Sequence, residues 1–241
     1  MAVPIDGETK RQQVAAMFSR ISRKYDFMNT VMTAGMHSRW RRVAARAATE
    51  GLSPGPALDV ATGTGGLAFE LARRAEVQEV VGLDFVPGML ALAQVLERRQ
   101  GQRQRLHWVL GDALFLPFPD SAFACVTSGF AMRNVTDVGS AVSEMSRVVR
   151  PGGRVALLEM TPLARRRLGS RLLWAYFSHV VPALGQVLAG DREAYTYLPE
   201  SVEQFLTAEQ LGRLMEEAGL VSVRWQLLGM GLVALHVGEK P

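Results

Sequence analysis

From residue 57 onward, short runs rich in β-branched residues alternate with stretches that have helical periodicity. This alternation constrains the chain more than any other feature, because it predicts βαβ units and a mostly parallel sheet. The clearest helix spans 137–149, with Thr136 or Asp137 as its cap and "RPGG" as its stop. Seven strands are expected, at 57–61, 79–85, 106–112, 122–130, 154–160, 221–228 and 232–238.

The last two expected strands are joined by only a few residues around "GMG". Because this connection is too short for a crossover helix, the two strands must form an antiparallel hairpin at the end of the parallel sheet. A seven-stranded, mostly parallel sheet with an antiparallel last strand looks like the Rossmann-like class I methyltransferase fold. It looks less like a dinucleotide-binding dehydrogenase.

Two stretches lie outside the alternation. Residues 1–50 have a helical pattern and end at the chain-breaking "GLSPGP", and residues 163–200 form a second helical insertion. Both could cover the carboxyl ends of the strands, where open α/β sheets bind ligands. We therefore expect a single α/β domain over 1–241. Its parts are a helical cap (1–50), a cofactor-binding core (57–160), a helical lid insertion (163–200), and a C-terminal helix with a β-hairpin (201–241).

Composition excludes several classes of function. Apolar residues make up 48% of the 241 residues and charged residues 21%, as in ordinary globular proteins. The net charge of +4 is small and is spread along the chain without the pattern of a nucleic-acid surface. The single Cys125 cannot form an internal disulfide, no metal-ligand spacing occurs, and the first thirty residues lack a secretory signal. We expect a cytoplasmic protein that binds neither nucleic acid nor a metal ion.

The stretch "ALDVATGTGGLAFELARR" (57–74) combines a strand, a glycine turn and a helix. Gly63, Gly65 and Ala68 satisfy the G-x-G-x-x-G/A pattern, so a dinucleotide is one candidate ligand. Glycines let the backbone pass close to a ligand, and the helix that follows offers unpaired N–H groups. The loop alone predicts a nucleotide site without identifying the nucleotide.

Aspartates at three successive strand ends indicate which nucleotide binds at this loop. Asp59, in the strand before the loop, suits the positive amino and sulfonium groups of S-adenosylmethionine but would repel a pyrophosphate. Asp84 can accept hydrogen bonds from both ribose hydroxyls, and Asp112 can reach the adenine amino group. Each aspartate alone could instead start a loop or cap a helix, but the set favours S-adenosylmethionine as the cofactor.

Motifs spread over nearly the whole chain resemble those of one family. They are "YDFMN" (25–29), "GMHSRW" (35–40), "LDVATGTG" (58–65), "GDALFLPFPDSAF" (111–123), "RNVTD" (133–137), "RVVRPGG" (147–153), "YTYLPES" (195–201) and "GLVALH" (231–236). Together they resemble the C-methyltransferases of ubiquinone and menaquinone biosynthesis. The chain departs from that pattern at Gly66, where an aspartate often follows the loop, and at "FAMRN", in place of "FGLRN".

The resemblance implies S-adenosylmethionine contacts at Thr64, Asp84, Asp112 and Ala113, with Gly129 at a further contact position. It also implies a prenylated quinol as acceptor, and the reaction favoured is C-methylation of demethylmenaquinol to menaquinol. Alternatives are the ubiquinone precursor, another lipid-like or small-molecule acceptor, and a non-catalytic scaffold that keeps the fold.

A quinol ring carbon becomes nucleophilic when a neighbouring hydroxyl loses its proton, so the site needs a proton acceptor or a cation near the phenolate. We expect Arg133 to stabilise the oxyanion, while water, His37 or Tyr25 takes the proton. Tyr25, Asn29, His37 and Asn134 are expected around the ring. Alternatives are a salt bridge for Arg133, a capping role for His37 and core packing for Tyr25.

Residues 172–189 carry no formal charge and follow "RRRLGSR". Polar residues and Pro182 interrupt the run, which disfavours a membrane-spanning helix. Two alternatives stay open: a buried lid helix, or a helix that lines a prenyl-tail channel or rests on the cytoplasmic face of the bilayer. In the latter, lipid head groups would lie near Arg165, Arg166, Arg167 and Arg171. A homodimer is compatible with the sequence, which does not determine the oligomeric state.

Overall fold

The computed structural model describes residues 7–100, 105–162, 173–189 and 192–241. The side chain of Tyr25 lies outside the described part of the chain. So do the arginines expected near lipid head groups, which are Arg165, Arg166, Arg167 and Arg171.

The centre of the molecule is a seven-stranded sheet in the order β3-β2-β1-β4-β5-β7-β6. Neighbouring strands are parallel, except that β7 runs antiparallel to both β5 and β6. This arrangement confirms the predicted class I methyltransferase fold with its closing hairpin. The strands are β1 (Gly55–Val60), β2 (Val77–Asp84), β3 (Leu106–Leu110), β4 (Phe123–Gly129), β5 (Val149–Met160), β6 (Val221–Leu228) and β7 (Val233–Glu239).

Helices cover both faces of the sheet and create two apolar cores. Ala57 of β1 packs in the core that includes α2 and α3, whereas the next residue, Leu58, packs with α5 and α8. Because successive side chains of a strand point to opposite faces, a central strand needs apolar residues at both positions. The helices are α1 (Gly7–Thr33), α2 (Met36–Thr49), α3 (Gly66–Ala72), α4 (Pro87–Gln100), α5 (Val138–Val148), α6 (Val181–Leu184), α7 (Arg192–Glu203) and α8 (Ala208–Glu217).

Strand β5 begins earlier than predicted. Asp137 caps α5 by accepting a 3.0 Å hydrogen bond from the backbone N–H of Ser140, and β5 starts directly after the helix ends. The glycines of "RPGG" belong to the strand, because Gly152 N donates to Lys240 O at 2.8 Å and Lys240 N donates to Gly153 O at 2.9 Å. The tail of the chain thus extends the strand through residues that were expected only to stop a helix.

Helical segments lie beside the carboxyl ends of the strands. Helix α1 contributes Val14 and Phe18 to a cleft formed there. The π-helical turns Tyr176–Val180 and Gly185–Ala189 flank α6, and the Tyr176 hydroxyl donates to the carbonyl of Met32 in α1 at 3.3 Å. Within the described ranges, no helix has both the length and the apolar character needed to cross a membrane.

Candidate active site

The strand order reverses beside β1, since β2 and β3 lie on one side of it and β4 and β5 on the other. Open α/β sheets bind ligands at such a point, outside the carboxyl ends of the strands. A cleft of about 280 Å³ lies there. Seven of the eight predicted cofactor residues line it: Asp59, Gly63, Thr64, Asp84, Asp112, Ala113 and Gly129.

The eighth predicted residue, Gly65, shapes the loop without lining the cleft. It directly precedes α3 with φ 84°, in the left-handed region that favours glycine. A Cβ at this position would lie 2.6 Å from the ring of Trp108 and 3.1 Å from that of Phe69. The glycine is therefore needed for the turn and for helix packing, and a contact between Gly65 and the cofactor stays a prediction.

Asp84, at the end of β2, is buried beneath the glycine loop. One carboxylate oxygen accepts a 2.7 Å hydrogen bond from Gly63 N, and the other accepts a 2.9 Å hydrogen bond from Val86 N. Burial raises the pKa of this carboxyl, and the backbone donors oppose that rise. Because each oxygen has a second lone pair, the carboxylate can also accept from two neighbouring ribose hydroxyls.

Asp59, in β1, is almost fully buried. The hydroxyls of Thr62 and Thr127 donate to its two oxygens at 2.6 and 2.8 Å. Burial raises the pKa of this carboxyl to about 6, against the opposing effects of the two hydroxyls and of the nearby Arg41 charge. A buried carboxylate with neutral partners favours a cationic ligand, as the sequence argument for the amino and sulfonium groups requires.

Asp112, after β3, lies at one edge of an apolar slot. Its Oδ1 accepts a 3.0 Å hydrogen bond from Leu114 N, which holds the carboxylate at the mouth of the cleft. Ala113 is buried beside it, whereas the Phe115 ring is 78% exposed. Such an apolar slot with a carboxylate at its edge suits a flat adenine ring whose amino group needs an acceptor.

A second, smaller cavity of about 70 Å³ adjoins the cofactor cleft. Phe18, Arg41 and Phe130 line both and form the partition between them. The remaining wall of the small cavity is mostly methionine, aromatic and leucine side chains, with a few polar groups. The residues with polar groups, besides Arg41, are Asn29, Thr33, His37, Arg133, Tyr195 and Tyr197.

Arg133 enters this cavity as half of a buried ion pair. Its Nη1 donates to Glu159 Oε1 at 2.8 Å and to the Phe130 carbonyl at 2.6 Å, and the two charged side chains are only 8% and 2% exposed. The buried Nε has no hydrogen-bond partner among the described residues. The charge of Arg133 is compensated, so any action on an oxyanion would come through a directed hydrogen bond.

His37 is buried in the first turn of α2, two residues after Gly35. Its Nδ1 lies 3.0 Å from the Thr33 hydroxyl and its Nε2 lies 3.2 Å from the Ser38 hydroxyl. Burial, followed by the charge of Arg41, lowers its pKa, and Asp26 opposes this effect. The imidazole is therefore neutral near pH 7 and able to accept a proton.

The other predicted acceptor residues are divided between the cavities. Asn29 lines the small cavity, whereas Asn134 lines the cofactor cleft. The Tyr197 hydroxyl, from the small cavity, donates to Asn134 Oδ1 at 3.1 Å and thereby connects the two. The side chain of the remaining residue, Tyr25, is outside the described part of the chain.

Sequence reasoning missed four residues of this region. Glu159 lies near the carboxyl end of β5, so the argument used for Asp59, a carboxylate within an apolar strand, could have found it. Tyr197 lies in the motif "YTYLPES", but the motif alone gives this side chain no role. Asp26 accepts a 3.0 Å hydrogen bond from the Thr64 hydroxyl. Asp26 lies in the motif "YDFMN", which gives this side chain no role, and Arg41 directly follows "GMHSRW". Only the folded position of the first two helices brings Asp26 to Thr64 and Arg41 to the cleft.

Together, the sheet and the cleft define a class I S-adenosylmethionine-dependent methyltransferase. Two solved structures have the same fold at low sequence identity. The cyclase SpnF is 17% identical, with a TM-score of 0.68 over 95% of this chain and 96% of its own. A methyltransferase from Thermotoga maritima is 18% identical, with a TM-score of 0.62 over 94% of this chain and 99% of its own.

The chain belongs to the ubiE/COQ5 methyltransferase family, whose sequence profile matches residues 7–240. Among its relatives, the demethylmenaquinone methyltransferase of Thermus thermophilus is 45% identical over 93% of this chain and 100% of its own length. The enzyme of that name from Deinococcus radiodurans is 43% identical over 98% and 95%. The ubiquinone/menaquinone biosynthesis C-methyltransferase of Paracoccus denitrificans is 39% identical over 94% and 90%. The family confirms that the enzyme is an S-adenosylmethionine-dependent methyltransferase.

Proposed function

We propose that this enzyme methylates a ring carbon of a prenylated quinol, and that it converts demethylmenaquinol to menaquinol. The observation that carries the proposal is the small cavity beside the cofactor cleft, whose wall is rich in methionine and aromatic side chains. Such a wall suits a flat apolar ring better than a charged acceptor. Relatives at 42–45% identity that are named demethylmenaquinone methyltransferase support this choice of quinol.

Methyl transfer requires an acceptor that has lost a proton. S-adenosylmethionine supplies an electrophilic methyl group on a sulfonium sulfur. A quinol ring carbon whose neighbouring hydroxyl has lost its proton would take this methyl group as the sulfur–methyl bond breaks, leaving S-adenosylhomocysteine. The ring carbon would then release its own hydrogen as a proton to water, which restores the aromatic ring. His37 is suited to take the hydroxyl proton because its lowered pKa keeps the ring neutral. Water and Tyr25 are the other proposed acceptors.

Arg133 is suited to hold the phenolate oxygen through its buried Nε–H, which has no partner among the described residues. Glu159 fixes the guanidinium by a 2.8 Å ion pair, so the donor would be positioned before the acceptor arrives. Asn29, Asn134 and Tyr197 offer further donors and acceptors around the ring. The apolar wall excludes water, which strengthens these hydrogen bonds.

The direct test is methyl transfer by the purified enzyme from labelled S-adenosylmethionine to reduced demethylmenaquinone. The ubiquinone precursor is assayed in parallel, because relatives at 37–39% identity carry both quinones in their names. Label only in the ubiquinone product would favour that alternative, and failure to bind S-adenosylmethionine in calorimetry would favour a non-catalytic scaffold. In cells without the gene, mass spectrometry of the quinone pool should find a menaquinone that lacks one methyl group.

We also propose that the enzyme works at the cytoplasmic membrane surface, where a prenylated quinol resides. In the segment 173–189, Phe177 is buried and lines the small cavity, whereas Val180 and Val187 are 43% and 79% exposed. Phe27 and Met36 of the helical cap are exposed as well. These apolar side chains are available to a bilayer surface. Flotation with anionic liposomes tests this contact. Absence of binding would indicate that the segment 173–189 acts only as a lid over the site.

A further inference from the structure

Arg41 lies where the cofactor cleft and the small cavity meet. It extends from α2 and lines both, together with Phe18 and Phe130. Within the described residues it is the single charged side chain that the two cavities share. A guanidinium in this position faces whichever part of the ligands is negative.

Among the residues that the structure describes, Arg41 has no partner that explains its position. It is half-buried, and no hydrogen bond or ion pair joins it to another of the residues that the structure describes. Its charge nevertheless acts on Asp59 and on His37, and it lowers the pKa of each. A guanidinium has five N–H donors, and leaving them unpaired inside a cleft is unfavourable. The site is thus arranged for an anionic group that the protein itself does not supply.

Gly66 shows on which side of the partition the guanidinium lies. A Cβ at this position would be 2.6 Å from Arg41 Cζ and would overlap Nη1. Gly66 is the first residue of α3, directly after the glycine loop, so the guanidinium rests against the cofactor side. The absence of a side chain at residue 66 therefore makes room for Arg41 on the cofactor side of the partition.

We infer that Arg41 binds the α-carboxylate of the methionine part of S-adenosylmethionine, opposite Asp59, which accepts its ammonium group. The two side chains then match the opposite charges of the amino acid zwitterion. Both side chains line the cofactor cleft, so the zwitterion can lie between them. The planar guanidinium suits a carboxylate because it can donate two parallel hydrogen bonds.

The test compares two ligands that differ only in the amino acid part. S-adenosylhomocysteine carries the carboxylate, whereas methylthioadenosine keeps the adenosine and the sulfur but lacks it. Arg41→Gln should weaken S-adenosylhomocysteine binding in calorimetry about 10- to 100-fold, the usual loss of a hydrogen bond to a charged group. Its affinity for methylthioadenosine should stay within about twofold. Arg41→Lys should recover part of the lost affinity, because lysine restores the positive charge but cannot donate two parallel hydrogen bonds from a planar group.

Arg42→Gln is the matched control, because Arg42 is the next residue of α2 and is exposed. It should bind both ligands as the unmodified protein does. Equal losses for the two ligands with Arg41→Gln would overturn the assignment and indicate general damage to the cleft. Unchanged S-adenosylhomocysteine affinity with reduced methyl transfer would also overturn it, and would place Arg41 on the acceptor. Neither ligand is a quinol, so the result is independent of whether the proposed acceptor is correct.

Discussion

Replacing Asp59 with asparagine should stabilise the ligand-free protein while weakening its hold on the cofactor. Among the described residues, the hydrogen-bond donors to the buried carboxyl are neutral: the hydroxyls of Thr62 and Thr127, and the backbone N–H of Ala68. An asparagine fits the same place, because its Oδ1 can accept from Thr62 and its amide can donate to Thr127. The Thr127 hydroxyl can then donate to the carbonyl of Leu58, which already lies 3.5 Å away.

The expected gain in folding stability follows from the pKa of the Asp59 carboxyl. Burial raises it from 3.8 to about 6, which corresponds to about 3 kcal/mol of destabilisation by the ionised form. Between these pH values the folded protein binds a proton that the unfolded chain has released. Stability of the unmodified protein therefore falls as pH rises from about 4 to about 6 and stays lower above that range. Asparagine does not titrate, so its advantage should be full at pH 8 and absent near pH 4.

Scanning calorimetry of both proteins at pH 8 and pH 4.5 measures this difference. At pH 8 the asparagine variant should unfold about 6–12 °C higher, since about 1 kcal/mol moves Tm by about 2–4 °C in a chain of this size. S-adenosylhomocysteine should bind at least about tenfold more weakly, because the counter-charge for its ammonium is lost. Asp137→Asn is a control of opposite sign, because its Ser140 hydrogen bonds lower the pKa of that exposed carboxyl. A lower Tm for the Asp59 variant at pH 8, or an equal gain at both pH values, would refute the reasoning.

Three further predictions concern the protonation of Asp59, the Arg133–Glu159 ion pair and the glycine loop. Affinity for S-adenosylhomocysteine should fall up to about tenfold per pH unit below about 6, as the buried aspartate is protonated, and a flat calorimetric profile between pH 5 and 8 would contradict this. Arg133→Ala should cost about 3–5 kcal/mol in urea unfolding because Glu159 stays buried and unpaired, and the Arg133→Met/Glu159→Gln pair should recover stability but not methyl transfer. Gly65→Ala should lower Tm through its positive φ and the Trp108 contact, whereas Gly88→Ala, with nothing within 4 Å, should not.

The sheet was predictable because its evidence is local. Alternating periodicity located the strands, and the short "GMG" connection required the antiparallel end that β6 and β7 form. The positions of Asp84 and Asp112 beside the cleft were predictable for the same reason, since parallel strands bring their carboxyl ends to one edge of the sheet, while their cofactor contacts stay predictions. The early start of β5 was not, because the backbone of Lys240, far away in the sequence, hydrogen-bonds to Gly152 and Gly153 in the first half of the strand.

The residues around the small cavity were less predictable from the sequence, because their positions depend on contacts between segments that are far apart in the chain. Arg133 was correctly placed just after a strand, but its partner Glu159 lies 26 residues later on β5. The position of Arg41 depends on how α2 packs over Gly66, which has no side chain. The hydrophobic periodicity of the sequence does not predict this contact. Charged residues on a helical cap are visible in sequence, whereas the cavity that each one faces is decided by tertiary packing.

The hydrogen bond between Thr64 and Asp26 connects the walls of the two cavities. It joins the glycine loop to α1, and the same helix carries Asn29 and Met32 in the wall of the small cavity. These residues lie within two turns of one rigid rod, so a shift of the loop is transmitted to that wall. The glycine loop of the cofactor cleft and one wall of the small cavity are thus held together through a single helix.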